Sequence, residues 1–243
     1  MNFSIHMTEI HVTSLDVEEY AGYGLNYVMG AVGFDGFELN AKLIGPAGTQ
    51  LDGHGCAIRA IHDRGCPGST DTNFVIYHPT GFPPYAWLPR LWRTKQGCFH
   101  GLELLENNLV TYDGFDLFYK EFNAFSRAVE SQACIAGLVV DTAHIAFALA
   151  HGVFMLEQIS NMLLTFGNVP VHMHVSAWDG YVYNGTCSAR HGSFSPISHC
   201  KSGDTQLGIY HYKRNQYPTA SVTVETPNLS IPQLRHEINH LVY

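Results

Sequence analysis

The chain has 243 residues, of which 46% are hydrophobic and 14% charged, and its formal net charge at pH 7 is -8. These values are typical of a globular protein with a sizeable core, and the acidic balance disfavours a wide nucleic-acid-binding surface. The N-terminal segment lacks the basic and apolar regions of a signal peptide, and no apolar run is long enough to span a bilayer. We therefore expect one domain, residues 1–243, in a cytoplasmic protein without membrane association.

In chain order, the first part of the sequence predicts strands at 3–7 and 33–39, a helix at 16–28 and a short helix near 57–62. Asp16 and Glu19 have the spacing of a capping box at the start of the 16–28 helix. Residues 41–72 are rich in Gly, Pro, Asp and His, which predicts a long loop of the kind that is usually functional.

The second part alternates predicted strands with amphipathic helices. The clearest helix carries Phe115, Phe118, Phe122, Phe125 and Val129 at three- and four-residue spacing, so that one apolar stripe can face a sheet. The remaining predicted elements are strands at 73–77, 101–106, 137–142, 169–175, 206–212 and 220–225, with helices at 152–166 and 231–242. Alternating strands and helices indicate a parallel sheet, and about eight strands in this length predict a single (β/α)8 TIM barrel.

Several predicted strands end in side chains that bind metals: His78, Glu106, Asp141, His174 and Glu225. The carboxyl ends of barrel strands meet at one mouth, where the active sites of such barrels lie. Glu106, Asp141, His174 and Glu225 provide three carboxylates and one imidazole, a set that suits Zn, with Mn, Mg, Co or Fe as alternatives. Buried carboxylates repel one another without a counter-charge, so a divalent metal is the expected cofactor.

Two residues beside this set are expected to lie outside the site. Glu103 has the opposite strand parity to Glu106, so we expect it to face the helices or a partner. His172 precedes His174 on the same predicted strand, and we expect it to point the other way and serve packing.

Six short motifs, in their order along the chain, resemble those of the endonuclease IV-type (family 2) AP endonucleases. They are His78-Pro79, Leu105-Glu-Asn107, Val140-Asp-Thr-Ala-His144, Met173-His-Val-Ser176, Arg190-His191 and Val224-Glu-Thr-Pro227. The wider superfamily is that of the xylose isomerase-like TIM barrels, which includes sugar (phosphate) isomerases and epimerases. The resemblance implies three zinc sites at the mouth, with the ligands His78, Glu106, Asp141, His144, His174, His191 and Glu225. Ala189 stands where the family has an aspartate, so the third site has lost an oxygen ligand.

Three functions stay open from the sequence. The histidines His78, His144 and His191 are additional to the set Glu106, Asp141, His174 and Glu225. They favour a zinc phosphoester hydrolase that resembles an AP endonuclease and acts on abasic DNA. The alternative is an isomerase or epimerase of a small sugar or sugar phosphate, with one divalent ion and with Glu106 and Glu225 as the catalytic acid and base. The third is a binding subunit that has lost catalysis, as Ala189 indicates.

Overall fold

A computed structural model describes residues 9–13, 20, 23–40, 58–62, 74–91, 96–104, 109, 111–150, 152–176, 182–183, 186–187, 221–226 and 229–242. The strands are β1 Ile10–Thr13, β2 Gly36–Asn40, β3 Ile58–His62, β4 Phe74–Tyr77, β5 Phe99–Leu104, β6 Ile135–Asp141, β7 Val171–Val175, β8 Val182–Tyr183, β9 Thr186–Cys187 and β10 Ser221–Val224. The helices are α1 Leu25–Val32, α2 Leu88–Leu91, α3 Gly114–Glu130, α4 Thr142–Ala150, α5 Leu156–Thr165 and α6 Ile231–Val242. None of the helices in these ranges is both long and apolar enough to cross a membrane.

Eight parallel strands close into a barrel in the order β1-β10-β7-β6-β5-β4-β3-β2. β8 and β9 form a separate two-stranded antiparallel sheet. The prediction of a barrel of parallel strands is therefore confirmed. A complete (β/α)8 alternation also needs helices in the connections after β2 and β3, which lie outside the described residues, so the full helical ring stays a prediction.

The start of the chain differs from its sequence-based prediction. Residues 57–62 were expected to hold a short helix, but 58–62 form β3, which pairs with β2 and β4. Ala60 is fully buried inside the barrel, because strand pairing on both sides satisfies the backbone and a small side chain fits the narrow interior. Of the helix predicted at 16–28, Tyr20 and residues 25–28 are helical and α1 continues to Val32, while residues 16–19, 21 and 22 lie outside the described residues. α1 is followed by Gly33, whose φ of 92° is the left-handed conformation that glycine adopts readily. The predicted strand at 206–212 lies outside the described residues.

Two apolar layers position the mouth of the barrel. Inside the barrel, Ala60, Ile76 and Val139 form a small buried cluster against Phe74. Outside it, the predicted stripe on α3 is buried against the sheet, with Phe118 and Phe125 fully inaccessible to solvent. The inner cluster fills the barrel below the strand ends, so polar side chains gather above it at the carboxyl edge.

Candidate functional site

Four successive barrel strands, β5, β6, β7 and β10, bring acidic and imidazole side chains together at their carboxyl ends. The residues are Glu103, Asp141, His174 and Glu225, and all four are buried. His174 Nδ1 lies 3.1 Å from Glu225 Oε2 and 3.8 Å from Glu103 Oε1. One ligand atom each from Glu103, Asp141 and His174 fall within 4.8 Å of one another, which is the spacing of a metal-binding group.

The strand register holds these residues at one height. Asp141 pairs with His174 across β6 and β7, and the Glu225 N–H donates to the Val175 carbonyl at 3.0 Å. Just beyond the pair, the Ser176 N–H donates to Thr142 Oγ1 at 3.4 Å. The first bond joins main-chain groups and the second ends on a side-chain hydroxyl, and together they continue the contacts of β7 with β10 and β6 past the last paired residues.

Asp141 has two separate tasks, one for each carboxylate oxygen. Its Oδ1 accepts hydrogen bonds from the N–H groups of Ala143 at 2.6 Å and His144 at 3.3 Å, at the start of α4. Helix N-termini favour such anionic acceptors. Its Oδ2 lies 3.5 Å from His144 Nε2, on the side of the cluster. The Val-Val-Asp-Thr-Ala-His run thus forms a buried strand, a helix cap and a site in consecutive residues.

The glutamate that enters the site from β5 is Glu103, and our expectation that it faces the helices is wrong. Paired β5 ends at Leu104, and Glu103 lies opposite Val139, whose side chain belongs to the barrel interior. Side chains alternate along a strand, so Glu103 and Glu106, three residues apart, have opposite parity, and choosing Glu106 as the inward residue placed Glu103 on the wrong face. Glu106, the predicted ligand and catalytic residue, lies outside the described residues.

Two further predicted histidines surround Glu103. His78 Nδ1 lies 3.0 Å from Glu103 Oε2, and His144 Nδ1 lies 3.6 Å from Glu103 Oε1. The His78 side chain is 29% exposed, whereas that of His144 is 4% exposed. The structure therefore brings His78, Asp141, His144, His174 and Glu225 together, while His191 lies outside the described residues.

A second group, which the sequence did not suggest, lies on the β2 side of His174. It consists of Glu38, His172 and His174, all buried, with ligand atoms that also fall within 4.8 Å of one another. The expectation that His172 points away from His174 is wrong, because residues two apart on a strand share a face. A carboxylate between Phe37 and Leu39 in an apolar strand was the available signal for Glu38.

The electrostatics of the two histidines of β7 differ. Burial has the largest single effect on the pKa of His174 and lowers it. The charges of Glu225 and Glu38, with hydrogen bonding to Glu103 and Glu225, together outweigh burial and raise this pKa well above its usual value. Burial lowers the pKa of His172 to about 4, so this ring is neutral at pH 7. Without a cation, protonated His174 is thus the counter-charge that the buried carboxylates contact.

The donor set fits a divalent cation. Three carboxylates and an imidazole, buried and converging, are the ligands that Zn, Mn, Mg and Co accept in proteins. A divalent ion would neutralise more of the carboxylate charge than one imidazolium does. Glu103, Asp141, His174 and Glu225 are the residues that would hold it.

No family model matches this sequence, and no curated protein matches it either. Among solved structures, 3-keto-D-glucoside 4-epimerase YcjR from E. coli aligns over 97% of this chain and 99% of its own, with 13% identity and a TM-score of 0.47. A D-tagatose 3-epimerase-like protein aligns over 97% of both chains, with 14% identity and a TM-score of 0.49. A xylose isomerase-like TIM barrel protein from Mycobacterium smegmatis in complex with magnesium aligns over 99% of this chain and 97% of its own, with 11% identity and a TM-score of 0.46.

Proposed function

We propose that this protein is a divalent-metal-dependent isomerase or epimerase of small sugars or sugar phosphates. The observation that carries the proposal is the shared imidazole: both three-ligand groups in the described part of the chain include His174. One imidazole common to both groups favours a centre built around one ion rather than several separate ions. The alternative function from the sequence is thereby preferred over phosphoester hydrolysis.

The cation, when bound, would polarise the carbonyl and hydroxyl oxygens of a sugar. Glu103 and Glu225 lie on the Nδ1 side of His174, at 3.8 Å and 3.1 Å, and come from strands on either side of β7. Isomerisation and epimerisation move a proton to or from a carbon beside a carbonyl, which requires a base and an acid. We assign these two tasks to Glu103 and Glu225, so Glu103 takes the role that the sequence predicted for Glu106.

His78 gives Glu103 a route for protons. Its Nδ1 lies 3.0 Å from Glu103 Oε2, and its ring is the more exposed of the two histidines that contact Glu103. A histidine that contacts a carboxylate and is partly exposed can carry protons between that carboxylate and water. We assign His78 the return of Glu103 to its starting protonation state after each turnover.

The second candidate is the metal-dependent phosphoester hydrolase. His78 and His144 favour it, because a one-metal centre has sufficient ligands without them. Both histidines, however, contact Glu103 within the same cluster rather than forming a carboxylate–imidazole set of their own. Their placement fits hydrogen bonding to a substrate or to Glu103 as well as it fits ligation.

The test is solvent-deuterium exchange. Metal content is first measured by elemental analysis, and the loaded protein is then incubated in D₂O with a panel of ketoses, aldoses and their phosphates. Deuterium at the carbon beside the carbonyl, followed by NMR, reports proton transfer whether or not the panel contains the physiological substrate. We expect about one ion per chain and exchange into at least one sugar.

Two glutamine variants provide the comparison. Glu225→Gln removes a proposed acid or base and should slow exchange about 10²- to 10⁴-fold. Glu157→Gln changes an exposed residue at the start of α5 and should leave exchange unchanged. Two or three zinc ions per chain with cleavage of abasic-site DNA and no exchange would favour the hydrolase. Absence of metal after reconstitution would contradict both and favour the binding subunit.

A further inference from the structure

The imidazole of His174 lies between two carboxylates, one on each ring nitrogen. Its Nδ1 is 3.1 Å from Glu225 Oε2, on the side of the proposed cation. Its Nε2 is 3.3 Å from Glu38 Oε1, on the opposite side of the ring. Since a neutral imidazole has one N–H and one lone pair, the two sides of the ring must take different roles.

Glu38 is itself held in place by neighbouring strands. The Thr223 hydroxyl of β10 donates to Glu38 Oε2 at 2.6 Å, and His172 Nε2 of β7 lies 3.3 Å from the same oxygen. The far nitrogen of that ring, His172 Nδ1, is 2.6 Å from the Ser221 hydroxyl. Three side chains from two strands thus fix the Glu38 carboxylate, and all of them are buried.

We propose that Glu38 is a positioning residue that fixes His174 as a metal ligand through Nδ1. When the His174 ring is neutral, the 3.3 Å ion-pair contact lets Glu38 Oε1 hold the proton on Nε2, so that the Nδ1 lone pair is directed toward Glu103, Asp141 and Glu225. A carboxylate on the second nitrogen of a ligating histidine sets the tautomer and ring orientation and raises the basicity of the ligand. The inference rests on the metal centre of the proposed function, and it does not depend on the substrate.

A competing interpretation makes Glu38, His172 and His174 a second cation site. The hydrogen bonds weigh against it, because the Thr223 hydroxyl lies 2.6 Å from Glu38 Oε2 and 3.1 Å from His172 Nε2, the ring nitrogen that faces Glu38. Metal stoichiometry separates the two interpretations. The positioning role requires one ion in the barrel, whereas the second site requires two.

The first test is metal affinity. Glu38→Gln keeps the shape of the side chain, but its amide loses the charge that favours an N–H at His174 Nε2. We expect about 10- to 100-fold weaker binding of Mn²⁺ by titration calorimetry, with an unchanged stoichiometry and an unchanged far-UV circular dichroism spectrum. Glu157→Gln, on the surface, should bind Mn²⁺ as the wild type does.

A surface histidine pair needs to be removed before these titrations. His236 Nε2 and His240 Nε2 on α6 are 3.1 Å apart and exposed, which is close to the spacing of two ligands on one ion. All the proteins compared therefore carry His240→Gln. Any ion counted afterwards cannot be held by this pair.

The second measurement uses the protein with Glu38 intact, so that it stands even if Glu38→Gln fails to fold. NMR of ¹⁵N-histidine-labelled protein loaded with Mg²⁺ should show His174 protonated at Nε2 and not at Nδ1. Protonation at Nδ1, unchanged Mn²⁺ affinity in Glu38→Gln, or a drop from two ions to one in that variant would each overturn the proposal. No sugar is used in these measurements, so failure of the isomerase assignment would leave their result intact.

Discussion

A buried carboxylate on α3, that of Glu121, binds the loop after β4. Its oxygens accept hydrogen bonds from the N–H groups of Thr80 at 3.0 Å and Gly81 at 2.6 Å, and from Trp87 Nε1 at 2.9 Å. The Thr80 hydroxyl adds a fourth donor at 3.2 Å. Because this loop begins directly after His78, the carboxylate supports one edge of the candidate site.

Glu121→Gln replaces one acceptor oxygen by an NH₂ group that must face a backbone or indole N–H. A buried donor left without an acceptor costs about 1–3 kcal/mol, and the remaining bonds lose their charge assistance. We therefore expect a loss of about 2–4 kcal/mol in the free energy of unfolding. For a chain of this length that corresponds to a decrease in Tm of about 4–16 °C.

The assay is urea unfolding followed by circular dichroism, with Glu130→Gln as the matched control. Glu130 lies on the same helix but is exposed, and its carboxylate accepts one hydrogen bond, from Ser126 Oγ at 2.8 Å. The control should change stability by less than about 0.5 kcal/mol. If Glu121→Gln stays within 1 kcal/mol of the wild type at equal m-values (roughly the smallest difference resolved), the loop does not depend on this carboxylate.

Two further predictions concern the barrel wall and one helix. Gly137→Ala should destabilise the protein by about 1–3 kcal/mol in the same unfolding assay, because an added Cβ would lie 2.1 Å from the Phe99 ring. Gly30→Ala, in α1 where nothing lies within 4 Å, should instead stabilise it by up to about 1 kcal/mol; equal effects would refute the packing argument. Burial lowers the pKa of His100, beside the Tyr77 hydroxyl, to about 4 from 6.5, so the unfolded chain binds more protons between these values. The free energy of unfolding should therefore fall by about 3 kcal/mol as the pH decreases from above 6.5 to 4. In His100→Gln, the free energy of unfolding measured over the same pH range should lack this decrease.

Part of the site was predictable from the sequence because its signals are local. The run that ends at Asp141 combines a buried strand, a carboxylate and a helix start within a few residues, and each has its own pattern. The same holds for His174 at the end of β7 and Glu225 after β10. Such patterns predict that these side chains meet at the mouth, because parallel strands end at one edge.

The errors came from strand boundaries and parity. The expectation for Glu103 took its parity from Glu106, and the residues of this run do not by themselves specify which side chains face the barrel interior. The strand β3 was also not predictable from local pattern, because Ala60 is a strand residue through its pairing with β2 on one side and β4 on the other.

Local sequence patterns were sufficient to predict the alternation of strands and helices in the second part of the chain, the apolar face of α3 and the acidic or histidine side chains at several strand ends. These follow from the periodicity of side chains along an isolated helix or strand. The contacts of Glu38 with His174 and Thr223 follow from the fold, because the pairing of β1 with β10 closes the barrel and brings β2 near β7 and β10, which lie far from it in the chain. Contacts across a closed barrel depend on register and closure, which no local pattern contains.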